Sequence, residues 1–201
     1  MIELTITIGV LLAAIILHEC AHGWVANQLG DSTAKLAGRL TLNPFKHIDP
    51  LGSVVLPFLF YSLSGHIFGW AKLVPVNFQA LANPRRDTVL IALAGPLVNM
   101  ILAVFFSQLM NFFFAPVVRE VFDLAVRINL ILAVFNLIPI LPLDGGRILQ
   151  GFLPAPLDQS FSRMEPYGIL IIVVLLNFGY LNGIWRIVET LHQSLIPLPM
   201  N

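Results

Sequence analysis

Charge is what this sequence has least of. Only 11% of its 201 residues are Asp, Glu, Lys or Arg, against 57% that are hydrophobic. An ordinary soluble domain is about a quarter charged. There are too few charges here to coat a water-facing surface, and the mean hydropathy of +0.85 places the chain in a membrane. Eleven basic residues balance eleven acidic ones, so there is no basic surplus for nucleic acid and no acidic tail. A single cysteine, Cys20, excludes an internal disulfide framework and a zinc knuckle built on thiolates. Repeats and low-complexity tracts are absent. The chain is read as one integral-membrane domain, residues 1–201, with a core at about 4–150 and a C-terminal helix at about 166–190.

What is present is a set of long apolar runs. A helix needs roughly 20 apolar residues to cross a bilayer. Four segments qualify: residues 4–26, 88–115, about 124–143, and about 167–185. The first starts Met-Ile-Glu, without the basic head of a cleaved signal peptide, and is kept as mature protein. A weaker stretch, 51–70, carries Pro57, Gly65 and His66. Its flanking loops, 28–50 (Lys35, Arg39, Lys46) and 71–87 (Lys72, Arg85, Arg86), are both net basic. The positive-inside rule puts both in the cytoplasm, which makes 51–70 a re-entrant hairpin or a tilted segment buried against protein; a plain span with a weak charge bias is the alternative. The predicted fold is an all-α polytopic membrane protein with four to six transmembrane or re-entrant helices. Strand-like alternation at Gly38-Arg-Leu-Thr-Leu-Asn43 and Lys72-Leu-Val-Pro-Val-Asn-Phe78 predicts short β segments at the membrane face. The charge pattern runs the first helix from outside to inside, the second back out, the third in and the fourth out. The segment 144–166, with Arg147 and Arg163, then lies on the cytoplasmic side, beginning with a short interfacial helix that Pro154 and Pro156 end.

The first helix contains His18-Glu19-Cys20-Ala21-His22. Histidines at i and i+4 share one helix face, one turn apart, so both imidazoles reach one metal ion. Glu19 projects beside them. This is the H-E-x-x-H pattern of zinc hydrolases, here inside an apolar run where ionisable side chains need a compensating partner. A catalytic zinc takes three protein ligands, so an Asp, Glu or His at similar depth is missing. Asp144 fits best. His22 and His18 lie about six and ten residues before the end of the first helix, roughly 9 to 15 Å, and Asp144 stands at the inner end of an inward-running helix. Pro139 and Pro142 break regular helix there, and Gly145-Gly146 permit a sharp turn. Capping a helix from Arg147 is the structural alternative for Asp144.

With these motifs stand Gly95-Pro96-x-x-Asn99 and Asn136-x-x-Pro139-x-x-Pro142-x-Asp144-Gly145. In this order they resemble the site-2 protease family of intramembrane zinc metalloproteases. Gly38-Arg-Leu-Thr-Leu-Asn43-Pro44, Asp49-Pro50-Leu-Gly52 and Asn83-Pro84-Arg85-Arg86-Asp87 are similar to a compact prokaryotic branch of it. The resemblance covers about residues 4–190. It implies that His18, His22 and Asp144 bind one Zn2+ per chain, that Glu19 activates water, and that Asn136 holds water or the oxyanion. Asn99 matches a motif for which helix packing on Gly95 is an equal explanation. The chain is expected to open on the metal-binding helix itself, without a PDZ or nucleotide-sensing domain. His47 and His192 read as solvated, His66 as a gating group at most, and Cys20 as a small apolar filler.

The reading is then an enzyme, a zinc-dependent intramembrane endopeptidase of the cell membrane, with its active site toward the cytoplasm. Its expected partners are the lipid bilayer and a single-pass membrane protein or remnant signal peptide as substrate, with 73–78 adding a strand to the unwound substrate. A zinc-binding transporter without protease activity is the alternative. It explains the histidines but not a Glu placed directly after the first of them.

Overall fold

The computed structural model describes residues 2–49, 52 and 72–196. The weak apolar stretch at 51–70, with its choice between hairpin and span, and His66 lie outside the described residues, Gly52 excepted. Helix α1 (Ile2–Gln28) is followed by the single turn α2 (Thr33–Leu36). After residue 72 come the long helices α3 (Pro84–Leu109) and α4 (Pro116–Asn136). The shorter α5 (Asp144–Phe152), α6 (Ala155–Ser162), α7 (Gly168–Asn177) and α8 (Asn182–Leu195) complete the described chain. Among the described residues, three stretches are long and apolar enough to cross a bilayer: Ile2–Gln28, Pro84–Leu109 and Ala155–Asn177, the last interrupted by a 3-10 turn at Glu165–Tyr167. The chain is an all-α membrane protein.

Helices α1, α3 and α4 pack against one another, α5 lies on α3, and α8 lies on α4. Ala103, Val126, Leu130 and Val188 form the core where α3, α4 and α8 meet. The outer faces carry exposed Leu4, Ile8 and Leu11 on α1 and Leu97, Ile101 and Phe105 on α3, an apolar surface suited to lipid.

Sequence and structure differ at four places. The third run does not form a helix over 124–143. Pro116 at the first helical position sets the start eight residues earlier, and the chain leaves the helix at Asn136, ahead of Pro139 and Pro142. The early turns of α4 therefore hold Arg119, Glu120, Asp123 and Arg127, and α8 supplies partners: His192 Nε2 meets Asp123 Oδ1 at 2.8 Å, and Arg127 Nη1 donates to Glu189 Oε2 at 3.2 Å. The fourth run, 167–185, is two helices. Tyr180 N–H bonds Leu175 O and Gly179 N–H bonds Leu176 O, with Gly179 at φ 73°, a Schellman stop that ends α7 after ten residues. Gly145 and Gly146 make no turn but lie inside α5. A Cβ on Gly145 would sit 2.2 Å from the Leu137 carbonyl oxygen, so their smallness lets the first turn of α5 press onto the chain that leaves α4. Finally, there is no strand among the described residues. Residues 38–43 turn and bend, and 72–77 take no regular structure and pair with no strand among the described residues. Side chains take the backbone donors that a sheet would use: Val74 N–H donates to Glu19 and Asn77 N–H to Asp31.

A candidate metal centre

The apolar character that makes α1 a spanning helix also makes its polar turn conspicuous. His18, Glu19 and His22 are all buried, and buried ionisable groups need partners. Helix α5 brings Asp144 to the two histidines: His18 Nε2 lies 3.1 Å from Asp144 Oδ2, His22 Nε2 lies 3.3 Å from Oδ1, and the two Nε2 atoms are 3.0 Å apart. One ligand atom from each of the three falls within 4.8 Å of the others.

The far side of each ring decides what those short distances mean. The Ala125 carbonyl can only accept, so Asn129 must turn its Nδ2 to it, at 2.8 Å. That leaves Asn129 Oδ1 to take the Asn99 Nδ2 hydrogen at 2.9 Å. Asn99 Nδ2 also faces the Ala14 carbonyl at 3.4 Å. Asn99 Oδ1 is thereby aimed at His18 Nδ1, 2.6 Å away, and His18 carries its proton on Nδ1. His22 Nδ1 meets the Ile91 carbonyl at 2.7 Å and is protonated for the same reason. With both rings neutral, the form that binds a metal, the two Nε2 atoms then present lone pairs. In that state the 3.0 Å approach is no hydrogen bond, and Asp144 Oδ2, buried, has no donor of its own. Four electron-rich atoms, two ring nitrogens and the two Asp144 oxygens, in contacts of 3.0 to 3.3 Å repel unless a proton or a metal cation lies among them. A tetrahedral ion with bonds of about 2.0–2.1 Å holds its ligands about 3.3 Å apart. Two imidazoles and a carboxylate, with protein acceptors behind each ring, are a donor set for zinc.

Gly95 makes room. A Cβ there would lie 2.5 Å from His18 Nε2 and 2.5 Å from His22 Nε2, inside the space the two rings face. Glu19 shares the helix turn of the histidines, and its Oε2 accepts the Val74 N–H at 2.8 Å. The geometry thus supplies three candidate ligands and a neighbouring carboxylate that accepts a hydrogen bond from a backbone amide.

Of the residues singled out from sequence, His18, His22 and Asp144 come together and Glu19 stands beside them. Asn136 ends α4, and its Nδ2 donates back to the Leu132 carbonyl at 3.0 Å; it makes no hydrogen bond to the other four. Asn99, fully buried, is more than packing, and Asn129 was not singled out at all. The signal for both was an amide inside an apolar helix, which demands an internal partner. His47 and His192 are not solvated. Each is buried, with Nε2 2.8 Å from the Thr41 carbonyl and 2.8 Å from Asp123 Oδ1 respectively. The Cys20 thiol donates to the same Thr41 carbonyl at 3.3 Å.

Comparison with known proteins leads to the same chemistry. The family model for Peptidase family M50 matches residues 113–178. The chain is 38% identical to YwhC of Bacillus subtilis over 175 residues, 82% of this chain and 77% of that one. It is 33% identical to Rip2 of Mycolicibacterium smegmatis over 176 residues, 85% of this chain and 66% of the relative. Its identity to MJ0392 of Methanocaldococcus jannaschii is 26% over 178 residues, 86% of this chain but 42% of the archaeal protein. The names of all three contain the words zinc metalloprotease. No solved structure matches the chain.

Proposed function

This chain belongs to peptidase family M50 and is a zinc metalloprotease, and from that premise we propose that it hydrolyses peptide bonds within the transmembrane segments of other membrane proteins. The observation that carries the reading is the place of the metal ligands: His18 and His22 sit within a helix apolar enough to cross a bilayer, and Asp144 meets them from α5. One zinc ion per chain would be held by the two histidines and the Asp144 carboxylate. Bound there, zinc supplies Lewis acidity, polarising a carbonyl and drawing the pKa of water toward neutrality.

The chain's own groups do the rest. Glu19 takes the proton of the attacking water and later delivers it to the leaving amine. The Val74 amide fixes Glu19 Oε2, which keeps the carboxylate in one rotamer while Oε1 handles the proton. Asn136 is assigned the developing oxyanion. Its amide now bonds Leu132, so this role requires a rotation of the side chain when substrate binds. A helical substrate has its carbonyls tied up internally and must unwind first. The stretch 73–77 lies next to Glu19 and offers backbone to an unwound chain.

The substrate class is a single-pass membrane protein or a remnant signal peptide, taken from the surrounding bilayer. The active site faces the cytoplasm, because the basic loops at 28–50 and 71–87 adjoin the end of α1, which carries the histidines, and the start of α3, which packs against it. The test is hydrolysis by purified protein. A helical membrane peptide should be cut in detergent or liposomes, a zinc chelator should stop the cutting, and Glu19→Gln should retain zinc but not cut. Zinc flux across liposomes with no cleavage of any peptide would instead identify a transporter.

A further inference from the structure

The motif Gly38-Arg39-Leu-Thr-Leu-Asn43 has no part in metal binding, yet Arg39 is buried, 6% exposed. A guanidinium taken out of water must be compensated. Its Nη1 donates to the Lys46 carbonyl, and its Nη2 donates to the carbonyls of Lys72 at 2.6 Å and Leu73 at 3.4 Å. The Leu73 carbonyl and the Val74 N–H are opposite ends of one planar peptide unit and point in opposite directions. The Val74 N–H is the donor to Glu19 Oε2, and Glu19 is itself 6% exposed. One peptide dipole is therefore set between a buried cation at its oxygen end and a buried carboxylate at its N–H end, the favourable alignment at both ends.

We propose that Arg39 is a positioning residue for the reaction: by clamping the carbonyls of Lys72 and Leu73 it aims the Val74 amide at Glu19 and so fixes the carboxylate that moves the proton. The inference rests on the proteolytic reading above. It accounts for a buried arginine beside a stretch that has no sheet partner among the described residues. The guanidinium, together with the His47 carbonyl that accepts the Lys72 N–H at 2.9 Å, ties down residues 72–73 from the side. It also separates Arg39 from the metal ligands in its consequences. Loss of the clamp leaves His18, His22, Asp144 and their bonds to Asn99 and Ile91 untouched, but frees Glu19 to leave its rotamer. A misplacement of about 1 Å in a reacting group costs on the order of 100-fold in rate.

The experiment compares zinc-loaded wild type, Arg39→Gln, Arg39→Lys and Glu19→Gln in detergent. Arg39→Gln should lower kcat about 10- to 100-fold with KM and zinc content unchanged. Arg39→Lys, which keeps the charge and can reach one carbonyl, should recover part of the loss. Exchange of the Val74 amide with solvent, followed by NMR, gives a readout that needs no turnover: it should quicken in Arg39→Gln and in Glu19→Gln, and less in Arg39→Lys. An unchanged Val74 amide in Arg39→Gln would overturn the proposal. So would zinc content or thermal stability that fell in step with kcat in both Arg39 variants, which is the mark of a purely structural role. If wild type cuts no peptide, the proteolytic reading fails, and the exchange measurement still decides whether Arg39 holds the Val74 amide on Glu19.

Discussion

Adding one methyl group at Gly95 should empty the metal centre. Its Cβ would stand 2.5 Å from His18 Cε1, from His18 Nε2 and from His22 Nε2, where ordinary contact needs 3.4 Å or more. The shortfall is 0.9 Å, the difference between those two figures. Neither ring can give way freely, because Asn99 holds His18 at 2.6 Å and the Ile91 carbonyl holds His22 at 2.7 Å on their other nitrogens. The strain must then part α1 from α3 or turn both rings, and a metal site tolerates only about 0.2 Å of ligand displacement. Disturbing the orientation of metal-bound histidines costs about 10- to 100-fold in affinity. Gly95→Ala should therefore bind zinc at least about 100-fold more weakly, since both rings are displaced. At a zinc concentration about 100 times the wild-type Kd, wild type gains about 2.7 kcal/mol of stability from the ion, and most of that gain should vanish. Competition against a chromophoric chelator measures the affinity. Thermal unfolding with and without chelator measures the linkage, which should be large for wild type and near zero for the variant. Gly9→Ala is the control, because a Cβ there meets nothing within 4 Å. Gly95→Ala protein that bound zinc as tightly as wild type would refute the reasoning, and with it the claim that the two Nε2 atoms share an ion beside Gly95.

His18→Ala, His22→Ala and Asp144→Ala should each lose zinc in metal analysis, while Glu19→Gln keeps it; full zinc in the Asp144 variant would move the third ligand elsewhere. Asn129→Leu leaves the Asn99 amide without its acceptor at a fully buried position, and should cost about 1–3 kcal/mol of stability and roughly 10-fold in zinc affinity, read by urea unfolding and chelator competition. Single cysteines at the exposed positions Ser32 and Gln79, in a Cys20→Ala background, should resist an impermeant thiol reagent in intact cells and react in lysed ones. Labelling of either from outside would put its loop on the outer face.

The metal centre was legible because its chemistry is written in local spacing. Two histidines one turn apart on an apolar helix have few structural uses, and an acid preceded by two prolines at the end of another run has the depth to meet them. Helix boundaries were less legible. Hydropathy alone set the third run at 124–143, since it discards the charged residues of α4. In the structure Asp123 and Arg127 are tolerated because α8 brings His192 and Glu189 to them, and such a partner from another part of the chain leaves no mark in a local window. The break in the fourth run had a local signal, Asn177-Phe-Gly179 followed by Asn182-Gly183, but an apolar run reads as continuous when its interruptions carry no charge.

The supporting residues were the hardest to read, and the reason is physical. Asn99, Asn129 and Arg39 touch no metal, and each acts through a hydrogen bond whose other end lies 30 or more positions away: Asn99 with Asn129 and His18, Arg39 with Lys72 and Leu73. Sequence does show the cost of each one, a polar or charged side chain at an apolar site, and that cost is a constraint that can be used. A buried amide inside a spanning helix has to find a partner at its own depth. Only a few polar side chains are available there, and the histidines are among them. The Ala125 carbonyl, with the Ala14 carbonyl that Asn99 also faces, then fixes the relay, because a backbone carbonyl cannot exchange donor for acceptor, and the orientation of Asn129, of Asn99 and finally the proton on His18 Nδ1 follow in turn. In the neutral ring the tautomer, and with it the lone pair on the metal-facing nitrogen, is thus set in part by a backbone carbonyl on α4, more than 100 residues along the chain from the histidine it governs.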